Sequence, residues 1–216
     1  MKEELIVRKY TKKDRASIRD IAFKTAFMGE PGSIFFASQE LLSSFLTEGF
    51  TDYEPESSFV AERNCKVIGY LLGTKDTKAL INKFKHKILP RLLRKFIFSG
   101  ALFKRKNITF LLSCLRGFLT GEFYAPGFSR EFPASLNINI EREFRNYGIG
   151  SRLIATYLDY LRIQNIPGVS FATMSIRAAH FFTKAGFRLL YEGRRSYFRH
   201  ILKKDIPIYI YGMRLL

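Results

Sequence analysis

Arg145-Asn-Tyr-Gly148-Ile-Gly150 lies between an alternating stretch, Ser135–Ile140, and an amphipathic one that runs from about Gly150 to Gln164. Two glycines let a backbone bend tightly and approach a ligand with no Cβ in the way. A helix that starts at such a bend turns its first unpaired N–H groups, and the positive end of its dipole, back onto it. That combination binds phosphate. The candidate binding residues are therefore Arg145, Asn146, Tyr147, Gly148, Ile149, Gly150 and Ser151. The same glycines would also serve close packing of a helix on a strand.

Three phosphate-binding patterns compete for this bend. The mononucleotide loop Gly-x-x-x-x-Gly-Lys-Ser/Thr does not occur in the sequence. The dinucleotide pattern needs a third glycine and an acid about 20 residues further on for the ribose. Gly148-Ile-Gly150-Ser-Arg-Leu153 lacks that glycine, and the next strand candidate, Gly168–Met174, ends without Asp or Glu. The third pattern is a loop for the pyrophosphate of an acyl-coenzyme A. A second block stands downstream of it: Ala178-Ala-His-Phe181-Phe182-Thr-Lys-Ala-Gly186-Phe187.

With the strand, Arg-x-x-Gly-x-Gly, the helix and that block in order, the chain resembles the GNAT family of N-acetyltransferases over about 1–74 and 132–216. The resemblance implies an α/β (α+β) fold, a mixed, mostly antiparallel twisted sheet flanked by helices. It implies an enzyme that moves the acetyl group of acetyl-CoA, its cosubstrate, to a primary amine on a small molecule or peptide by direct attack on the thioester. The backbone of Arg145–Ser151 would hold the pyrophosphate. The backbone of Ile138 and Ile140 would pair with the pantetheine arm as an added strand does. The N–H of Ile140 would face the developing oxyanion.

The chain departs from the family pattern at two places. The family often carries a Tyr at the position of Phe182, as the acid for the leaving thiolate, and Phe182 can only line the cofactor. Ser175 replaces a frequent Asn; it can cap the following helix and bond the cofactor. Tyr191 and Tyr197 are the substitute acids, and each also reads as a packed tyrosine. Glu141, just past the strand, is the candidate base, directly or through water; it also reads as a solvated carboxylate. Asn137 and Asn139 share one strand face and could orient an amine. Asp52, Glu54, Glu56 and Glu30 could attract a cationic amine or simply be solvated. His86, His180 and His200 are scattered, so no metal is expected.

These residues must be positioned by regular elements. Leu5–Arg8 reads as a strand, and Thr11-Lys-Lys-Asp14 as a helix start with an acid three residues after its cap. A second helix begins near Ser38, and 52–57 reads as a loop. Ser58–Glu62 and Val67–Leu72 form a hairpin about Arg63-Asn-Cys-Lys66. After the central strand and helix come a strand at Val169–Thr173, a helix at about Ile176–Ala185, and closing strands at Leu189–Phe198 and Ile206–Met213. The chain is predicted to be one domain, 1–216, with a basic helical segment inserted at about 75–131.

Composition narrows the class. The 216 residues carry 47% hydrophobic side chains, enough for a full core, and a net charge of +17 that favours anionic partners. Two cysteines, Cys65 and Cys114, make no disulfide framework and suit a reduced, cytoplasmic protein. The opening Met1–Tyr10 carries no signal-peptide pattern. No apolar run reaches the ~20 residues of a spanning helix.

Between Lys75 and Arg116 there are twelve Lys/Arg and a single acid, Asp76. Pro90 is expected to split or start a helix there, and Leu111–Leu119 to form another. The segment could close over an acceptor site, rest on anionic lipid, contact nucleic acid, or be a solvated positive face. Three functions stay open: an acetyltransferase, a non-catalytic acyl-CoA sensor motivated by Phe182, and a membrane or nucleic-acid module built on the insertion. A homodimer is compatible with each.

Overall fold

The computed structural model describes residues 5–215; Met1–Glu4 of the opening stretch and Leu216 lie outside the described residues. The described residues form seven strands and eight α-helices in mixed order. Strands β1 (Leu5–Lys9), β2 (Phe59–Arg63), β3 (Lys66–Thr74) and β4 (Ser135–Ile140) form one antiparallel sheet in that order. Strands β5 (Gly168–Thr173), β6 (Arg188–Arg195) and β7 (Ile206–Arg214) form a second, in which β7 lies between the other two. The mixed, largely antiparallel architecture expected from the sequence is thus present.

The β2–β3 hairpin turns through Asn64 and Cys65, both at positive φ (51° and 59°), the geometry that suits the twist of a two-residue turn. A bulge beside Ala61 and Glu62 shifts the register. Consequently Val67, Tyr70 and Leu72 face one helix layer, while Ile68 and Leu71 face the other. Helix α1 (Arg15–Thr25) covers the first face with Ile18, Ile21 and Ala22. Its entry is held by Asp14, whose carboxylate accepts from the Thr11 N–H at 2.8 Å and from the Arg8 guanidinium at 2.8 Å. Helix α2 (Gln39–Tyr53) packs beside α1, with Ser38 as its cap. It runs two residues into the stretch expected to be loop, because Pro55 starts a new 3-10 turn only after it.

The insertion is helical. Helix α3 (Thr77–Lys83), a π-helical stretch at Phe84–Ile88 and α4 (Leu89–Phe98) follow one another without a break. Pro90 stands in the first turn of α4, the start expected of it, and does not split the run. The wider turn before it, closed by the Leu89 N–H on the Phe84 carbonyl, lets the helix pass a residue with no N–H of its own. Helix α5 spans Arg105–Leu119, starting six residues earlier than periodicity suggests. Asn107 explains the difference: it is buried, accepts from the Ala37 N–H at 2.7 Å and donates to the Ala101 carbonyl at 2.9 Å. A core of Ile88, Leu92, Phe96 and Ala101 sits against Phe27, Phe35 and Phe36 and against Phe198 beyond β6. Arg91 and Lys95 of α4 pair with Glu48 and Glu40 of α2.

Helix α6 (Ile149–Ile163) lies across the other face of the first sheet. Its Tyr157 is fully buried and donates to two carbonyls, Thr74 at 2.9 Å and Ser135 at 2.8 Å. These are the last residue of β3 and the first of β4, so one hydroxyl ties both strand ends to the helix. Gly73 makes room for the ring: a Cβ there would lie 2.3 Å from it. Helices α7 (Ile176–Lys184) and α8 (Arg199–Leu202) complete the chain. Tyr157→Phe should lower unfolding stability by ~1–3 kcal/mol, the penalty of leaving buried carbonyls without a donor; a urea melt at neutral pH checks it.

Candidate functional site

Among the described residues the two sheets share one hydrogen-bonded bridge. Ala134 and Val169 form a parallel bridge, in which the Ala134 N–H donates to the Gly168 carbonyl (3.2 Å) and the Ser170 N–H to the Ala134 carbonyl (2.9 Å). Beyond it β4 and β5 diverge. A cleft of about 800 Å³ opens between them, lined by Leu136–Ile140 on one side and Phe171–Ser175 on the other. That volume suits a drug-sized ligand.

The ladder register decides what β4 offers. The Glu141 N–H bonds the Ile68 carbonyl at 2.9 Å. In an antiparallel pair, bonded positions alternate. Asn139, Asn137 and Ser135 therefore spend their main-chain groups on β3, opposite Tyr70, Leu72 and Thr74. Leu136, Ile138 and Ile140 direct theirs toward the cleft, continuing the direction Ala134 takes in its bridge to β5. A half-open strand edge thus lies where an extended ligand could pair with it. The side chains divide in the opposite sense. Ile138 and Ile140 pack on the core beneath α6, while Asn139 donates to the Tyr70 hydroxyl (2.9 Å) and to Asn137 (2.8 Å) on the α1 face. Burial drives the Tyr70 hydroxyl pKa upward, so it stays protonated.

At the end of β4 the chain passes a 3-10 turn (Arg142–Phe144) and reaches the bend. Asn146 and Gly148 both take positive φ, 69° and 74°. Gly148 is the residue before α6, and the first N–H bonded inside that helix is that of Arg152, to the Gly148 carbonyl at 3.1 Å. The N–H groups of Ile149, Gly150 and Ser151 are thus the helix's orphan donors. The glycines differ in purpose. A Cβ on Gly148 would meet nothing within 4 Å, so its backbone conformation is what requires glycine. A Cβ on Gly150 would lie 3.1 Å from Phe181 and 3.4 Å from Ile140, so close packing requires it there.

Arg145 is a brace. Its Nε donates to the Ile140 carbonyl (3.1 Å) and its Nη2 to the Gly29 carbonyl (2.9 Å), joining β4 to the loop after α1. Burial lowers its pKa, and the nearby Arg142 and Arg177 add to the effect against Glu30. Three guanidinium groups close enough to perturb one another form a positive field at this end of the cleft, which favours an anion.

Ile138, Ile140, Arg145, Asn146, Gly148, Ile149, Gly150, Ser151, Ser175 and Phe182 all line the cleft. Ser175 caps α7 through the Ala178 N–H at 3.3 Å. Phe182 is buried against Phe171, with ring centres 4.1 Å apart, and presents an apolar wall. Tyr147 is exposed and outside the lining.

The three residues expected to move protons do not line it. Tyr191 sits on β6, separated from the gap by β7, because the closing strands insert β7 next to β5. Glu141 gives its carboxylate to Lys66 at 3.0 Å. Tyr197 is half-buried against the aromatic core under the insertion, stacked on Phe123 and donating to the Met174 sulfur at 2.8 Å. Met174 lines the cleft, so Tyr197 stands one side chain behind the wall. Burial pushes its hydroxyl up to about 12. The acidic group at 52–56 is spent on structure: Asp52 pairs with Arg15 (2.7 Å), Glu56 with Lys75 (3.4 Å), and Glu54 accepts from Thr74 (2.6 Å) and the Lys75 N–H (2.7 Å). Glu30 is the only carboxylate among the described residues lining the cleft; it lies 3.4 Å from Arg142.

Thr25, Met28, Thr173, Met174 and Arg177 also line the cleft and carry no motif. Arg177 alone had a legible signal: a cation in the first turn of a helix opposes the dipole unless an anion is nearby. Replacing Gly150 by Val should destabilise the fold by ~1–3 kcal/mol through overpacking, and Gly148→Ala by ~1–2 kcal/mol through the left-handed backbone alone. Urea melts of the two variants check both.

No protein-family model and no curated protein matches the sequence. Solved structures do match. SsHAT aligns over 99% of both chains at 21% identity, with a TM-score of 0.73. The Drosophila melanogaster polyamine N-acetyltransferase, which forms N-acetylagmatine, aligns over 98% of this chain and 100% of its own at 15% identity, TM-score 0.60. YncA of Salmonella typhimurium, a putative acetyltransferase solved with acetyl-CoA, aligns over 98% and 94% at 11% identity, TM-score 0.56. The splayed strands, the bend and the helix after it are thus set in the fold of the GNAT N-acetyltransferases.

Proposed function

We propose that the chain is an acetyl-CoA-dependent N-acetyltransferase of one domain, 1–216, with its basic insertion at about 75–131, acting on a primary amine in the cytoplasm. The observation that carries this reading is the half-open edge of β4 leading directly into the orphan donors of α6. An acyl-coenzyme A has those two parts in that order: an amide-bearing arm and a pyrophosphate. YncA, solved with that cofactor, has the same fold. The free thiols of Cys65 and Cys114 suit a reducing compartment. No helix among the described residues is long and apolar enough to cross a membrane.

The residues fit such a molecule. The N–H groups of Ile149, Gly150 and Ser151 and the Asn146–Gly148 backbone would hold the pyrophosphate, helped by the field of Arg142, Arg145 and Arg177. The main-chain groups of Ile138 and Ile140 would hold the arm, and Phe182 would pack against it. Bound there, acetyl-CoA supplies a thioester-activated acetyl group. The Ile140 N–H would stabilise negative charge on a carbonyl oxygen. On the α1 face, Asn137, Asn139 and Thr25 are available to orient an amine beside β4, and Glu30 to attract its cation and take its proton through water. The neutral Tyr197, behind Met174, is a tyrosine hydroxyl one side chain from the cleft on the β5 side. It would reach a leaving group after a rotation of Met174.

Acetyl-CoA should raise the melting temperature of the protein, and Gly148→Val should remove that shift while the circular dichroism spectrum persists. A thiol-release assay with acetyl-CoA across polyamines, aminosugars and peptide amines should identify an acceptor. Glu30→Gln should then raise KM for a cationic amine several-fold, and Tyr197→Phe should alter the alkaline limb of the kcat profile. Cofactor binding with no thiol release from any amine would favour the sensor reading, which the hydroxyl-free Phe182 motivates.

A further inference from the structure

Helix α5 is apolar on both sides. Its inner side holds Asn107, Phe110 and Gly117 against the body of the protein. Its outer side carries Ile108, Leu111, Leu112, Leu115, Phe118 and Leu119, a single stripe at helical spacing. That stripe is uncovered: Leu112 is 59% exposed, Phe118 69% and Leu119 76%. At the corner that leads into α5, Phe98 is 86% exposed and Phe103 83%. Isolated apolar side chains on a surface are ordinary, but a continuous stripe marks a contact surface.

Cations accompany it. Lys104, Arg105 and Lys106 lie at the entrance of α5, all exposed. Arg116 flanks the stripe and lines a cavity of about 330 Å³ with Ser113, Ser196, Arg199 and His200. Within it Ser113 lies 3.4 Å from His200 Nδ1. Arg199 also pairs with Asp205 (2.6 Å), and Ser196 bonds Glu122. A second copy of the chain would bring another +17 against this face, and like charges repel. Nucleic acid would satisfy the cations and leave the leucines in water. An anionic bilayer answers both, with headgroups for the cations and acyl chains for the stripe.

We propose that α5 and the corner before it rest in the surface of an anionic phospholipid membrane, with a headgroup phosphate in the Arg116–Arg199 cavity. The helix lies on the membrane and does not cross it, in keeping with the lack of a spanning helix among the described residues. This inference is independent of the acetyltransferase reading.

The test is cosedimentation of the full chain with vesicles of phosphatidylcholine alone and of phosphatidylcholine with phosphatidylglycerol. Binding to the anionic vesicles only, weakened by salt, is expected. Leu112→Glu with Leu115→Glu should reduce partitioning roughly a hundredfold with an unchanged melting temperature. As a second variant, Lys104→Glu with Arg105→Glu should reduce it roughly tenfold or more. Failure to bind anionic vesicles at low salt, equal binding to neutral ones, or binding indifferent to the leucine changes would each overturn the proposal. So would a dimer in sedimentation velocity that the leucine changes disperse, or tighter binding to polyuridine RNA than to vesicles.

Discussion

The structure depends on a pairing that stops. Among the described residues one parallel bridge, Ala134 to Val169, joins the two sheets by hydrogen bonds, and beyond it β4 and β5 share no ladder. Main-chain N–H and C=O groups need partners. A strand edge left half-paired inside a packed domain is a standing demand for one. β4 satisfies half of its groups on β3 and turns the other half to the cleft. Everything around it keeps the gap from closing: the aromatic wedge of Phe171, Phe182 and Phe187 behind β5, the Arg145 brace at one end, and Tyr157 at the other. The bend and the orphan donors of α6 then extend the same unmet demand toward a positively charged end of the cleft.

Much of this was legible in the residues. The hairpin, the Thr11–Asp14 start, the Ser38 and Ser175 caps and the Gly148 bend are local chemistry, written within a few positions of where each acts. Most of the expected residues that line the cleft lie between Ile138 and Ser151, so naming the bend named most of them. The assignments that failed were of another kind. Tyr191 and Glu141 were placed by nearness in sequence to the site. Their true positions follow from strand order and from a cross-strand ion pair with Lys66, which no local pattern encodes. Glu54, which reads as either a lure for a cationic amine or a solvated carboxylate, secures the end of β3 through Thr74 and Lys75.

The insertion shows the same division. Its helices were visible as periodicity, and Pro90 opens α4 while the π turn before it keeps the run unbroken; the start of α5 was hidden because Asn107 is a polar residue buried for its two hydrogen bonds. Its charge was visible as a count, but the count overstated the free cations, since Arg91 and Lys95 are held by acids of α2. What no count could show is that one side of α5 keeps its leucines in the open.

Thr74 and Ser135, at which the excursion departs and comes home, stand directly across from each other in the β3–β4 ladder. In topological terms residues 75–134 are nothing more than an overgrown hairpin loop, and the Tyr157 hydroxyl acts as the staple at its neck. The excursion is nonetheless no free appendage: its return leg carries Ala134, the residue that bridges to β5, and its outward leg is bolted to α2 through Arg91 and Lys95. Cutting it at the neck would therefore take away one jamb of the cleft together with the loop.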